Sequence, residues 1–130
     1  MSTPAIVVPV KKIEGKYVNL EVLSYKADGR KFLRGTITCP FTGKQFKFDI
    51  AAQLDQVRPG VVQYDGGFLE HARKTSQYSE WFYERVEPYS RNSFHRRKYF
   101  VCRKCEFKTT RYVDILLHLM QIHGFLVKVP

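Results

Sequence analysis

Two cysteines and two histidines near the end of the chain are the residues whose spacing most plainly supports chemistry. They are Cys102, Cys105, His118 and His123, set within residues 99–124 (YFVCRKCEFKTTRYVDILLHLMQIHG) as Cys-x2-Cys-x12-His-x4-His. Cysteines separated by two residues sit on a tight turn, so both thiolates reach one ion at about 2.3 Å. Histidines separated by four residues project from adjacent turns of one helix. The stretch between the pairs suffices for a returning strand and the start of that helix. Two sulfurs and two nitrogens in closed tetrahedral spacing favour Zn2+ over an iron site and leave no open coordination position. The pattern therefore implies one structural ion and no catalytic one.

Residues 99–124, about a fifth of the chain, resemble the zinc-finger family of the two-cysteine, two-histidine type. Phe100, two residues before Cys102, matches the aromatic which that family places ahead of its first cysteine. Ile115, three before His118, matches the usual leucine of the finger core. Thr109 stands where the family has its second aromatic, with Phe107 as the replacement, and Gly124 is the expected helix C-cap. The resemblance implies a ββα module whose helix meets base edges in the DNA major groove. The matching positions here are Arg111, Asp114 and Leu117. Arg111 suits guanine O6 and N7 together, Asp114 suits cytosine or steadies Arg111, and Leu117 has no hydrogen bond to give. One finger spans only about three base pairs, so specific binding needs help from elsewhere.

Charge supplies a candidate for that help. The chain carries a formal net charge of +10, concentrated in residues 89–130. Between Arg91 and Arg111 every charged residue except Glu106 is basic. A field so concentrated favours a polyanion, and nucleic acid is the expected partner, DNA ahead of RNA. Arg91, Arg96, Arg97 and Lys98 suit phosphate contacts, and Arg103, Lys104 and Lys108 extend the same surface. The helix adds a competing expectation. Tyr112, Val113, Ile115, Leu116, Leu117, Leu119, Met120 and Ile122 make it apolar nearly all round, which implies burial on more than one side. Either the finger packs within its own chain, or Leu116, Leu117, Leu119 and Met120 dock a protein partner or a second copy.

The elements that must position these groups give an α+β fold: a small antiparallel β-sheet or barrel followed by a C-terminal ββα zinc finger. A share of 44% hydrophobic and 15% aromatic residues belongs to a folded chain. The expected organisation is a β-rich domain over residues 1–88, a basic linker over 89–98 and the zinc-finger module over 99–130. Strands are expected at 17–25, 31–38 and 45–50, where apolar and polar side chains alternate, with turns at Asp28-Gly29 and Thr42-Gly43. Short helices at 51–57 and 68–74 and strands at 61–64 and 79–86 complete the domain. Its strand order over residues 15–87, with Gly35 inside the second strand, resembles an oligonucleotide-binding barrel. That resemblance implies a single-strand groove drawing on Tyr25, Lys31, Phe32, Arg34 and Lys47.

Several function classes are disfavoured. Cys39 stands alone, which fits a reducing intracellular compartment rather than a disulfide framework. No stretch approaches the roughly 18 apolar residues of a membrane span, so no membrane partner is expected. Glu70-His71 and Asp65 belong to no motif with a mechanism, and no catalytic residue is assigned. The expected function is non-enzymatic nucleic-acid binding, in a transcription regulator or a genome-handling accessory. The alternative is an interaction subunit whose hydrophobic helix docks onto a larger protein or ribonucleoprotein assembly.

Overall fold

Alternation of apolar and polar side chains builds the first sheet. The computed structural model describes residues 7–26, 29–49, 64–88 and 96–128. The helix expected at 51–57, nearly all of the strand expected at 61–64, and Arg91 lie outside the described residues. Strands β1 (Val7–Glu14), β2 (Val18–Tyr25), β3 (Lys31–Thr38) and β4 (Gln45–Phe48) pair antiparallel in that order. Directly opposed residues share a face. One face therefore carries Val18 with Ile37 and Phe46, Leu20 with Gly35 and Phe48, and Val22 with Leu33. All the apolar members of that set are buried. Phe68 closes over them, its ring 5.4 Å from that of Phe46 and 6.3 Å from that of Phe48.

The opposite face is mostly polar, with Arg34 paired to Glu21, but it bears a small apolar cluster of Val7, Leu23 and Phe32. This arrangement corrects the barrel resemblance. The described strands form an up-and-down meander, not the Greek-key order of an oligonucleotide-binding barrel. Phe32, expected on a groove, lies in the apolar cluster instead. β1 is the strand that patterning leaves unmarked, because Pro9 interrupts it. Its register against β2 shifts between Pro9 and Lys11, the kind of irregularity at which an edge strand tolerates proline.

A second set of elements follows. Asp65 precedes helix α1 (Phe68–Lys74), and its carboxylate accepts hydrogen bonds from the N–H groups of Gly67 and Leu69 at 2.8 and 2.9 Å. After a 3-10 turn at Ser76–Glu80 come β5 (Phe82–Pro88), β6 (Arg96–Cys102), the short β7 (Lys108–Thr109) and helix α2 (Tyr112–His123). The three strands form one antiparallel sheet. Two compact units result, Glu70–Phe125 and the residues on either side of it, Met1–Leu69 with Leu126–Pro130. The division expected at residue 88 would separate two strands that are paired, since Phe82 to Pro88 lie opposite Cys102 to Arg96. Likewise Arg96, Arg97 and Lys98 are the first residues of β6 and not a linker.

An ion pair ties α1 to this second sheet within Glu70–Phe125. Arg73 donates to both carboxylate oxygens of Glu84, at 2.9 Å from Nε and 2.6 Å from Nη2. Those bonds hold the Glu84 carboxyl below its ordinary range; burial opposes them, and the charges of Arg73 and Lys98 add to them. A depressed carboxylate contributes stability in full above its unfolded value and loses it as pH falls through the folded one. Glu84→Gln should therefore cost about 0.5–1 kcal/mol at neutral pH, the scale of a partly exposed pair. The deficit should vanish in acid, where the wild-type carboxyl is itself neutral. Urea unfolding of both proteins at neutral and strongly acidic pH checks this, and a deficit that persisted in acid would refute the assignment.

Candidate metal centre

The hairpin β6–β7 followed by α2 is a ββα arrangement, and it brings the four sequence-selected ligands together. Cys102 is the last residue of β6 and is buried, while Cys105 stands in the turn that follows and is exposed. The turn is closed by Cys102 N–H donating to the Phe107 carbonyl at 2.9 Å, and Lys104 N–H reaches the Cys102 sulfur at 3.3 Å. His118 and His123 come from α2. Five positions along a helix turn the second ring about 140° from the first, so they do not stack along one line. Their rings meet edge to face, 5.0 Å apart.

One sulfur or ring nitrogen from each residue lies within 4.8 Å of the other three, and this is the one such group of metal-binding side chains among the described residues. Cys105 Sγ and His118 Nε2 are 3.2 Å apart. Two ligands of a tetrahedral zinc, at about 2.3 and 2.0 Å from the ion, would be about 3.5 Å apart.

Three further observations bear on whether a metal ion fits. His123 Nε2 is buried with no hydrogen-bond partner among the described residues, a costly state for a ring nitrogen unless a cation accepts its lone pair. Burial pushes the Cys102 thiol above its ordinary value, although N–H groups of Lys104 and Cys105 pull the other way. Burial, and then His123, lower His118, which keeps it in the neutral form that ligates. The donor set and the orphaned nitrogen together fit one metal ion.

The residues around the ligands confirm several expectations and change others. Phe100 and Ile115 are buried, and Phe100 meets Tyr112 at 5.8 Å and Phe82 at 6.5 Å. Phe107 is partly exposed and stacks on the His118 ring at 4.2 Å and 15°, so it packs against a ligand and not in a finger core. Gly124 caps α2 in the left-handed region (φ 70°, ψ 21°). Leu116, Leu117, Leu119 and Met120, considered as a docking patch, are all buried and offer no exposed apolar surface. Along α2 only Gln121 and Ile122 are exposed. Of the three positions that the zinc-finger resemblance implied would meet bases, Arg111 is exposed, Asp114 half-buried and Leu117 buried. Cys39 is buried apart from the cluster, His71 packs edge-on to Tyr78, and Asp65 and Glu70 serve the capping of α1 and an ion pair with Arg73.

Arg96, Arg97, Lys98, Arg103, Lys104, Lys108 and Arg111 are all exposed. Three of these cations lie over aromatic rings that sequence reasoning did not select. Arg103 sits 4.3 Å from the centre of Tyr83, Lys104 4.6 Å from Trp81 and Lys108 4.7 Å from Tyr99. The signal was present in residues 79–86 (SEWFYERV), where alternation puts Tyr83 and Arg85 on one side of a strand. What was missing was the partner strand that sets Tyr99 beside them. No helix among the described residues is long and apolar enough to cross a membrane. The sequence matches no family model, no curated protein and no solved structure, so the likeness of residues 99–124 to a zinc finger rests on the ligand quartet and its ββα setting.

Proposed function

We propose that this chain is a non-enzymatic nucleic-acid-binding protein in which Cys102, Cys105, His118 and His123 hold one structural Zn2+. The observation that carries the reading is the exposure of seven bases between Arg96 and Arg111 on the module that contains the metal ligands. When bound, zinc clamps the β6–β7 turn to α2 and leaves no coordination site for a reaction. The bases then meet phosphates from a fixed scaffold, which gives affinity and orientation without sequence information. DNA remains the favoured polymer. Leu117 is buried, so the helix has no complete set of base-reading side chains, which suits a genome-handling accessory better than a sequence-reading regulator. The interaction-subunit reading loses its surface with the burial of Leu116, Leu117, Leu119 and Met120.

The test titrates the protein with double-stranded DNA, single-stranded DNA and RNA across salt, with and without a chelator. Four to six phosphate contacts imply a log–log salt slope of about −3 to −5, or roughly a sixty- to thousandfold loss between 50 and 200 mM salt. Elemental analysis should find one zinc per chain, and stripping it should abolish binding. Absence of binding to all three polymers at low salt would overturn the proposal.

A further inference from the structure

We infer that the outward face of the β5–β6–β7 sheet is a single-strand platform, with Tyr83 and Tyr99 stacking nucleobases while Arg85, Arg103 and Lys108 hold the backbone. The inference rests on the nucleic-acid reading above and names its polymer form and contact surface. Strand register defines the face. Phe82, Phe100 and Cys102 lie on the side where Phe100 meets Tyr112 of α2. Tyr83 opposite Val101, Arg85 opposite Tyr99, and Lys108 opposite Val101 therefore share the other side.

Tyr83, Arg85, Val101, Arg103 and Lys108 line an open groove of about 450 Å3 on that side, which runs to Cys105. The Arg85 and Lys108 side chains are 55% and 47% exposed, so they are available to a ligand. Two carboxylates lie among them: Glu106 lines the groove, and Glu87 sits 3.2 Å from Arg85 Nε and 2.8 Å from Lys108 Nζ. The three cations Arg85, Arg103 and Lys108 outnumber them.

Tyrosine on an exposed strand face is common, because the side chain suits a pleated surface. What points to a ligand is the coupling of each ring to a cation beside a groove. Arg103 over Tyr83 and Lys108 over Tyr99 pair a π-face with a phosphate-seeking group. A base that takes a ring face displaces the cation sideways toward its own phosphate, so stacking and charge neutralisation occur together. Arg103 also presents a planar guanidinium on which a base can stack.

Tyr83 and Tyr99 are diagonal neighbours across the β5–β6 pair, about 7–8 Å apart at the backbone, a spacing that serves two splayed bases. A duplex presents no free base faces. Its major groove, about 12 Å wide, admits a helix or a two-stranded ribbon, whereas three strands stand side by side at Tyr83, Val101 and Lys108.

The test uses the full zinc-loaded chain, a short oligo(dT) and a mixed-sequence duplex of equal length. The platform requires oligo(dT) to bind more tightly than the duplex. Tyr83→Ala and Tyr99→Ala should each weaken oligo(dT) binding roughly five- to hundredfold, while Tyr→Phe at either position should bind within about twofold of wild type. Ultraviolet crosslinking of the unmodified protein to oligo(dT) should place adducts on Tyr83 and Tyr99, a readout that does not depend on how the variants fold. Tighter duplex binding, alanine variants that bind like wild type, or adducts confined to Arg111 and α2 would overturn the platform and leave nucleic-acid binding standing. Failure to bind either polymer would overturn both.

Discussion

Stripping the metal should release the hydrogen-exchange protection of α2 by at least about a thousandfold while the β2 and β3 amides keep theirs. Metal binding in finger peptides is worth about 10–16 kcal/mol at neutral pH, comparable with the whole stability of an ordinary domain. Here the ion would neutralise the buried Cys102 sulfur and engage the orphaned His123 Nε2. Without it His123 Nε2 stays buried with no partner among the described residues, the Cys102 sulfur keeps only backbone N–H donors, and the turn carrying Cys105 has lost its tie to the helix.

The module is larger than an isolated finger, because β5 adds Phe82 beside Phe100, and Tyr78 and Trp81 flank Phe125. A residual collapsed state is therefore expected, with protection lost first at α2. Cys102→Ser and His123→Ala should reproduce the effect without chelator. Hydrogen exchange read by mass spectrometry at residues 115–120 and at 20–23 decides the matter. Full metal loss with unchanged α2 protection would show that the site is not structural.

Gly35→Ala should destabilise the first unit by about 3–5 kcal/mol, near the upper end for single substitutions. Gly35 has φ +140°, a region side chains rarely enter, and a Cβ built there would lie 2.1 Å from the Asn19 carbonyl oxygen and 3.0 Å from Leu20 Cα. Both obstacles are backbone, so no rotamer change relieves them. β2 would have to move away from β3 beside Leu20 and Phe48, which are 1% and 0% exposed, and the packing between them would open.

Gly43→Ala is the control. Its φ of +78° is also left-handed, but a Cβ there meets nothing within 4 Å. The strain alone should cost about 1–2 kcal/mol. Urea unfolding of the two variants separates close approach from backbone strain, and equal losses would refute the steric account.

What depends on local spacing can be read along the chain. The four ligands were legible because a metal ion demands fixed donor types at short intervals, and all four converge. β3 and α1 coincide with their expected bounds, residues 31–38 and 68–74, because alternation and turn residues act over a few positions. Gly124 was legible for the same reason, since a helix end in the left-handed region selects glycine. The apolar surround of α2 correctly announced burial on more than one side, though not which residues would remain outside.

Tertiary structure decided the rest. β1 hid behind Pro9, whose cost is absorbed by a register shift on an edge strand. The pairing of β5 with β6 joins residues that no local pattern links, and it moved the unit boundary from 88 to between Leu69 and Glu70. That same pairing set Tyr83 beside Tyr99 under the cations of the turn and β7, while burial removed Leu117 from any groove. Metal ligation is written in intervals along the chain; a binding face is written in strand register, which exists only once the strands have met.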